Sequence, residues 1–301
     1  MKETADDLVK RTFLKLSSDY GFKHTFCTPQ NAVVLKNFLN ALFEGKMVIT
    51  DVTFQDKEVL PPDENGKRIV YDVYCTTETG YHFVVEMQKE QSPLFGKRMV
   101  FYVSSCIFRQ GEKGGSYKFE PVYLIVITNF NMKPFERRLV NEVVLMERNT
   151  NVVFTEDVKV FFLSLLQIHK DWDDCETEIE RQLYLIKNME NLNKESKPYK
   201  SGKYDDMFKA AEIASMAAED IVAYRNSIMI EMERESALEF AKEEGMEKGI
   251  KIGREEGREE GREEGREEGK LEVARKMKNK GMDLGDIMLF TGLSKGQIEM
   301  L

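Results

Sequence analysis

The sequence has few cysteines and few histidines. Its 301 residues contain four cysteines, which lie 31 to 69 residues apart without a CxxC pair, and three scattered histidines. This pattern excludes a disulfide scaffold and a zinc ribbon. Widely spaced free thiols are typical of a reducing compartment, so the sequence predicts a cytoplasmic protein.

Long apolar runs and an excess of positive charge are also missing. No run is long enough to span a bilayer, and residues 1–10 are acidic and polar, which argues against a membrane span and a secretory signal. Residues 1–170 carry 22 Lys and Arg against 21 Asp and Glu, whereas residues 171–301 carry 22 against 32. A globally basic nucleic-acid coat protein is excluded, but a locally basic cleft is not. The sequence contains neither a GxxxxGK[ST] motif nor a GxGxxG motif, so it does not predict a nucleotide-binding site.

The first 130 residues predict a compact α/β core with helices packed on a sheet. The run PVYLIVIT at residues 121–128 is typical of a strand that is buried on both faces. A Pro- and Gly-containing linker at residues 61–66 separates the first two strands. The predicted order is α-β-β-β-α-β, with a helix at 31–42, strands at 48–59, 68–76 and 81–88, a helix at 93–110 and a strand at 121–128.

The remaining chain predicts a mainly helical extension over residues 131–244. It would start with a small hairpin at 139–145 and 151–154, followed by helices at 157–167, 176–192 and 204–244. A small helical end at residues 271–301 resembles a helix-turn-helix, and Ser294 and Gln297 fit a capping box. Its last helix offers only Lys295 as a cation, so we expect packing or self-association of this tail rather than sequence-specific DNA reading.

Residues 245–270 carry a glycine at every fourth position, with a literal GREE repeat at the centre. Seven helical glycines cost about 1 kcal/mol each relative to alanine. Each i,i+3 Glu–Arg pair returns only about 0.2–0.5 kcal/mol. The segment therefore predicts a charged spacer, with a helix that forms against a partner as the alternative.

A predicted hairpin brings two carboxylates together. If residues 78–80 form a three-residue turn, Thr77 faces Tyr81 and Asp72 lies across from Glu86. Opposed side chains on neighbouring strands lie about 5 Å apart at Cβ, and like charges repel there. A hard divalent cation such as Mg²⁺ or Mn²⁺ would relieve the repulsion. A surface hairpin whose carboxylates face solvent fits the spacing equally well.

Gln88 lies on the same strand face as Glu86, because strand side chains alternate. Carboxylate, backbone carbonyl and amide groups at one strand edge suit a site that holds a metal and a water near a phosphodiester.

Several short motifs follow one another along the first half of the chain. They are Ser18-Asp19-Tyr20-Gly21-Phe22-Lys23, Tyr71-Asp72-Val73, Val85-Glu86-Met87-Gln88, Arg98 and Tyr102. In this order they resemble the PD-(D/E)XK nuclease family transposases, the Rpn group of recombination-promoting nucleases, closely over about residues 12–130. The tail sequence MDLGDIMLFTGLSKGQIEML also resembles the ending of many such proteins.

The resemblance implies a restriction-endonuclease-like α/β fold and metal-dependent cleavage of DNA. It implies that Asp72 and Glu86 hold the metal and that Asp19 is a third acidic group, although Asp19 also fits a turn or a helix N-terminus. Gln88 stands where the wider superfamily has lysine, and a glutamine supplies neither positive charge nor a base near neutral pH.

Three further residues are candidates for DNA contact. Lys23 fits a phosphate contact or a carboxylate pair, and Arg98 and Tyr102 share one helical face that would suit a DNA backbone or solvent. The sequence thus predicts a Mg²⁺- or Mn²⁺-dependent DNA endonuclease linked to recombination or mobile-element DNA. The alternative is a non-catalytic DNA-binding or assembly protein that retains the nuclease fold.

Overall fold

A six-stranded sheet organises the first of two compact units in the computed structural model. The structure describes residues 4–59, 68–111, 117–132 and 138–301, and the units comprise residues 1–231 and 232–301. The strands are β1 (Val52–Phe54), β2 (Glu58–Val59), β3 (Ile69–Val70), β4 (Val73–Thr77), β5 (His82–Gln88), β6 (Val122–Thr128), β7 (Val140–Met146) and β8 (Val153–Ser164). The helices are α1 (Ala5–Leu8), α2 (Asp19–Phe26), α3 (Ala32–Leu42), α4 (Phe95–Phe108), α5 (Glu178–Asn188), α6 (Lys197–Lys200), α7 (Asp205–Ala211), α8 (Ala218–Asn279), α9 (Leu284–Thr291) and α10 (Lys295–Glu299).

The sheet has the order β1-β4-β5-β6-β8-β7, and β2 pairs separately with β3. β4 and β5 are antiparallel, whereas β6 runs parallel to both of its neighbours. Every residue of β6 is buried, as its continuous β-branched run predicts. The mixed α/β fold class is confirmed, and it agrees with a PD-(D/E)XK nuclease fold.

The hairpin of β4 and β5 has the predicted register. Thr77 N donates to the Tyr81 carbonyl at 3.0 Å, and Val73 pairs with Val85. Gly80 closes the turn with a φ of 87°, in the left-handed region that favours glycine. This register sets Asp72, directly before β4, level with Glu86 in β5.

The predicted helix at residues 157–167 is wrong, because strand β8 continues to Ser164 and only a single 3₁₀ turn follows. Its Val, Phe and Leu residues suit a pleated surface, and pairing with β6 satisfies backbone groups that burial would otherwise leave without partners. β7 and β8 extend the sheet beyond residue 130. The predicted strands at 48–59 and 68–76 are each divided in two, and the linker at 61–66 lies outside the described residues.

The glycine repeat is helical, contrary to the spacer prediction. α8 spans 62 residues from Ala218 to Asn279 and includes the whole repeat. Nucleation is the costly step in forming a helix. The sequences on both sides of the repeat are rich in Ala, Glu, Met and Lys, so the helix can nucleate there and continue through the repeat. Arg and Glu then propagate the helix well.

Within the described residues, no helix is both long enough and apolar enough to cross a bilayer.

The last helices have the predicted local pattern. Ser294 and Gln297 form a capping box at the start of α10. Four buried residues form a small core in this second unit: Ala274, Ile287, Leu293 and Ile298. The four cysteines of the chain are all free thiols.

Candidate active site

Asp72 and Glu86 face each other across the β4–β5 hairpin. The Asp72 N–H donates to Glu86 Oε1 at 3.0 Å, and the Met87 N–H donates to Asp72 Oδ2 at 3.1 Å. Glu86 is only 2% exposed, and the Asp72 side chain is 16% exposed. These reciprocal bonds fix both carboxylates, so the pair is not a solvent-facing surface feature.

Burial disfavours the charged forms of both groups. It raises the pKa of Glu86 to about 8, with a further contribution from the negative charge of Asp72. Burial also raises the pKa of Asp72, although the nearby Lys23 ammonium opposes that shift. A cation between the two carboxyl groups would favour their ionised forms.

Gln88 is held between Glu86 and Arg98. Its Nε2 donates to Glu86 Oε2 at 3.2 Å, and its Oε1 accepts from the Arg98 guanidinium. The guanidinium carbon Cζ of Arg98 also lies 6.0 Å from the ring centroid of Phe95 and 6.0 Å from that of Tyr102. The Nε of Arg98 is buried and has no hydrogen-bond partner among the described residues. Gln88 thus has a fixed orientation, and Arg98 brings positive charge to the centre.

Lys23 enters the site from α2. Its Nζ lies 2.7 Å from Asp19 Oδ1 and 3.4 Å from Asp72 Oδ1. Burial lowers the pKa of Lys23, but the carboxylates of Asp19 and Asp72 outweigh this effect and raise it, so the ammonium stays charged. Asp19 is therefore joined to the centre through Lys23 and is not itself beside Glu86 in the hydrogen-bond network.

The beginning of α2 depends on Ser18 and Gly21. The Ser18 hydroxyl caps the helix by accepting from Gly21 N at 2.9 Å, and it donates to the Lys15 carbonyl at 2.6 Å. A Cβ on Gly21 would lie 2.1 Å from that carbonyl oxygen. The glycine of the motif is required because the backbone of residue 15 approaches it closely.

Gly21→Ala will lower the free energy of unfolding by about 1–3 kcal/mol, since the rigid backbone must shift to remove the overlap. Gly96→Ala is the matched control, because Gly96 lies in α4 with open space around it and should gain up to about 1 kcal/mol. Urea unfolding of both variants tests this expectation. Equal stability of Gly21→Ala and wild type would contradict the close approach.

The sequence analysis did not identify two residues next to the site, Glu231 and Lys89. Glu231 in α8 accepts from Asp19 N at 2.8 Å, and it also pairs with Lys89, the residue after Gln88. Glu231 follows Asp19 by 212 residues and is one of many glutamates in a charged helix. No local pattern distinguishes it, so only the tertiary structure identifies it.

The donor set fits a hard divalent cation. Carboxylate oxygens are the ligands that Mg²⁺ and Mn²⁺ prefer, and Asp72 and Glu86 supply two carboxylates at one place. In the part of the chain that the structure describes, no group of three or more His, Cys, Asp or Glu residues is arranged to hold a metal. Mg²⁺ commonly takes only one or two protein carboxylates, with water and substrate phosphate completing its shell.

Comparison with known protein families supports the resemblance over this region. A family model described as PD-(D/E)XK nuclease family transposase matches residues 16–241. The match includes all seven residues that the sequence analysis identified as candidates. Comparisons with curated proteins and with solved structures gave no match.

Proposed function

The chain belongs to the PD-(D/E)XK nuclease family of transposases, and from this premise we propose that it is a metal-dependent DNA endonuclease. The observation that carries the proposal is the pair of buried, facing carboxylates, Asp72 and Glu86. Burial and the negative charge of Asp72 raise the pKa of Glu86 to about 8, a bound cation would favour its ionised form, and a carboxyl pair perturbed in this way is typical of a functional site. The transposase description supports recombining or mobile-element DNA as the substrate class.

Asp72 and Glu86 would hold Mg²⁺ or Mn²⁺. The bound metal would lower the pKa of a water and neutralise charge on a phosphoryl oxygen. The protein contributes the fixed orientation of both carboxylates, which the backbone N–H groups of Asp72 and Met87 maintain.

Gln88 would orient a water or a phosphate oxygen by hydrogen bonding. Its amide is neutral, so it neither takes a proton nor supplies charge. Because Glu86 and Arg98 fix the amide from both sides, Gln88 is preorganised for that role. Arg98 would offer the guanidinium N–H groups that Gln88 does not use to a phosphate, with Tyr102 beside it.

Lys23 would supply the positive charge that Gln88 lacks. Its ammonium lies next to Asp72, and Asp19 holds it one helical turn from the start of α2. A fixed ammonium at this point stabilises negative charge that develops on a phosphate oxygen during hydrolysis. The arrangement also suits the DNA-contact role predicted for Lys23.

Metal binding tests the proposal without requiring turnover. Mg²⁺ or Mn²⁺ at 100 times its dissociation constant should stabilise the wild type by about 2.7 kcal/mol, because the folded state alone holds the paired carboxylates. Asp72→Ala should lose most of this stabilisation, whereas the exposed Asp51→Ala should keep it. Thermal unfolding with and without metal measures both.

Equal stabilisation of Asp72→Ala and wild type by the metal would show that the metal binds at a place other than Asp72 and Glu86. No stabilisation of a wild type that still binds DNA would favour the non-catalytic DNA-binding or assembly alternative.

A further inference from the structure

Three side chains at the start of α8 contact residues 15, 19 and 20, at and just before the start of α2. Tyr224 is fully buried, and its hydroxyl accepts from Lys15 N at 3.0 Å. The Tyr20 hydroxyl donates to Asp220 Oδ1 at 3.0 Å. Residues 220, 224 and 231 recur at helical spacing, so they share one face of α8. The beginning of this long helix is therefore attached to the start of α2, one turn before Lys23.

Glu231 joins this segment to the end of β5. One carboxylate oxygen accepts from Asp19 N at 2.8 Å, and the other pairs with the Lys89 ammonium. The side chains of Glu231 and Lys89 are only 15% and 23% exposed, so solvent and salt screen their ion pair less than a surface pair. A single side chain thus bridges two segments that are far apart in sequence.

The position of Glu231 favours this bridge. Asp19 is the first residue of α2, where backbone N–H groups lack helical partners and the helix dipole favours a negative charge. Lys23 lies one turn further along α2 and contacts Asp72. Lys89 directly follows Gln88, which contacts Glu86. Loss of the Glu231 side chain would therefore remove one link between the start of α2 and the end of β5.

We propose that Glu231 is a positioning residue of the active centre. Its described contacts are with Asp19 and Lys89 and not with Asp72 or Glu86. Through them it keeps Lys23 and Gln88 in register with the two carboxylates. This inference rests on the proposed function, because register at the carboxylates matters for phosphodiester hydrolysis. It also makes the first turns of α8 part of the catalytic unit rather than a tail.

Two variants separate the contacts of Glu231. Glu231→Gln keeps an oxygen that accepts from Asp19 N and loses the ion pair with Lys89, whereas Glu231→Ala loses both contacts. Glu233→Ala is the matched control, because Glu233 is an exposed glutamate on the same helix. A displacement of about 1 Å at a reacting centre can cost 100-fold in rate.

The experiment measures Mg²⁺-dependent plasmid nicking by the full-length chain, with kcat and KM for DNA determined separately. Glu231→Ala should lower kcat about 100-fold and change KM less than twofold. Glu231→Gln should give an intermediate kcat, and Glu233→Ala should match wild type. An unchanged kcat in Glu231→Ala, or a rise in KM alone, would overturn the inference.

Amide hydrogen exchange distinguishes failure of this inference from failure of the proposed function. The Asp19 amide should exchange at least 10-fold faster in Glu231→Ala than in Glu233→Ala, while the amides of β6 keep their protection in both. If wild type does not cut DNA, the proposed function fails, and this exchange difference still decides whether Glu231 positions α2. Equal exchange at Asp19 would overturn the positioning role.

Discussion

Asp72→Asn will lower metal-dependent DNA cleavage by at least about 1,000-fold, a loss of about 4 kcal/mol in transition-state stabilisation. The substitution removes the negative charge that would hold the metal, but it keeps an oxygen that can accept from Met87 N. The shape of the hairpin is therefore preserved, and the loss reports on charge.

The free energy of unfolding of Asp72→Asn distinguishes loss of the metal site from loss of the fold. The metal-free Asp72→Asn protein no longer has the Asp72 charge beside the buried Glu86 carboxyl, and it gives up at most about 1 kcal/mol from the partly exposed ion pair with Lys23. Its free energy of unfolding should therefore stay within about 1 kcal/mol of wild type. Cleavage at more than a tenth of the wild-type rate by a folded Asp72→Asn protein would contradict the assigned role.

Lys23→Met will lower kcat by about 100- to 1,000-fold, the range seen when one preorganised group that stabilises developing charge is removed. Lys23 has the only side-chain ammonium in contact with Asp72 among the described ion pairs. Adding Gln88→Lys to Lys23→Met should recover part of the rate, because it returns a positive charge to the same centre from β5. Lys23→Arg should retain more activity than Lys23→Met.

The kinetic constants distinguish two roles for Lys23. If Lys23 only binds a distant phosphate of the DNA, Lys23→Met will raise KM and leave kcat unchanged. If it acts at the reacting phosphate, kcat falls. Lys36→Met is a matched control, because Lys36 is partly exposed on the next helix and does not contact Asp72, and both constants should stay at wild-type values.

The hairpin and its carboxylates could be predicted because their signals are local. The turn at Gly80 sets the register, and alternation along β5 sets Glu86 and Gln88 on one face. Strand β8 could not be separated from a helix, because a short apolar run has no unambiguous period. Its identity depends on pairing with β6, which is a long-range property.

The contacts of Lys23 and Glu231 depend on tertiary structure. The sequence left Lys23 between a phosphate contact and a carboxylate pair, and the structure gives it Asp19 and Asp72 as partners. Glu231 lies in a helix where glutamate is common, so neither spacing nor composition identifies it. Self-association through residues 271–301 stays a prediction.

The glycine repeat shows where the energetic argument from sequence was incomplete. The cost of seven helical glycines was weighed for the segment alone, but α8 starts well before the repeat and ends after it. Flanking helix supplies nucleation, and propagation through Arg and Glu is favourable.

Nicking of supercoiled plasmid by purified wild type and Glu86→Ala, each with Mg²⁺, Mn²⁺ or a chelator, tests the central claim most directly. The account predicts cutting by wild type that requires the metal and is lost in Glu86→Ala. Equal cutting by both proteins would contradict the assignment of the active centre to the facing carboxylates, Asp72 and Glu86.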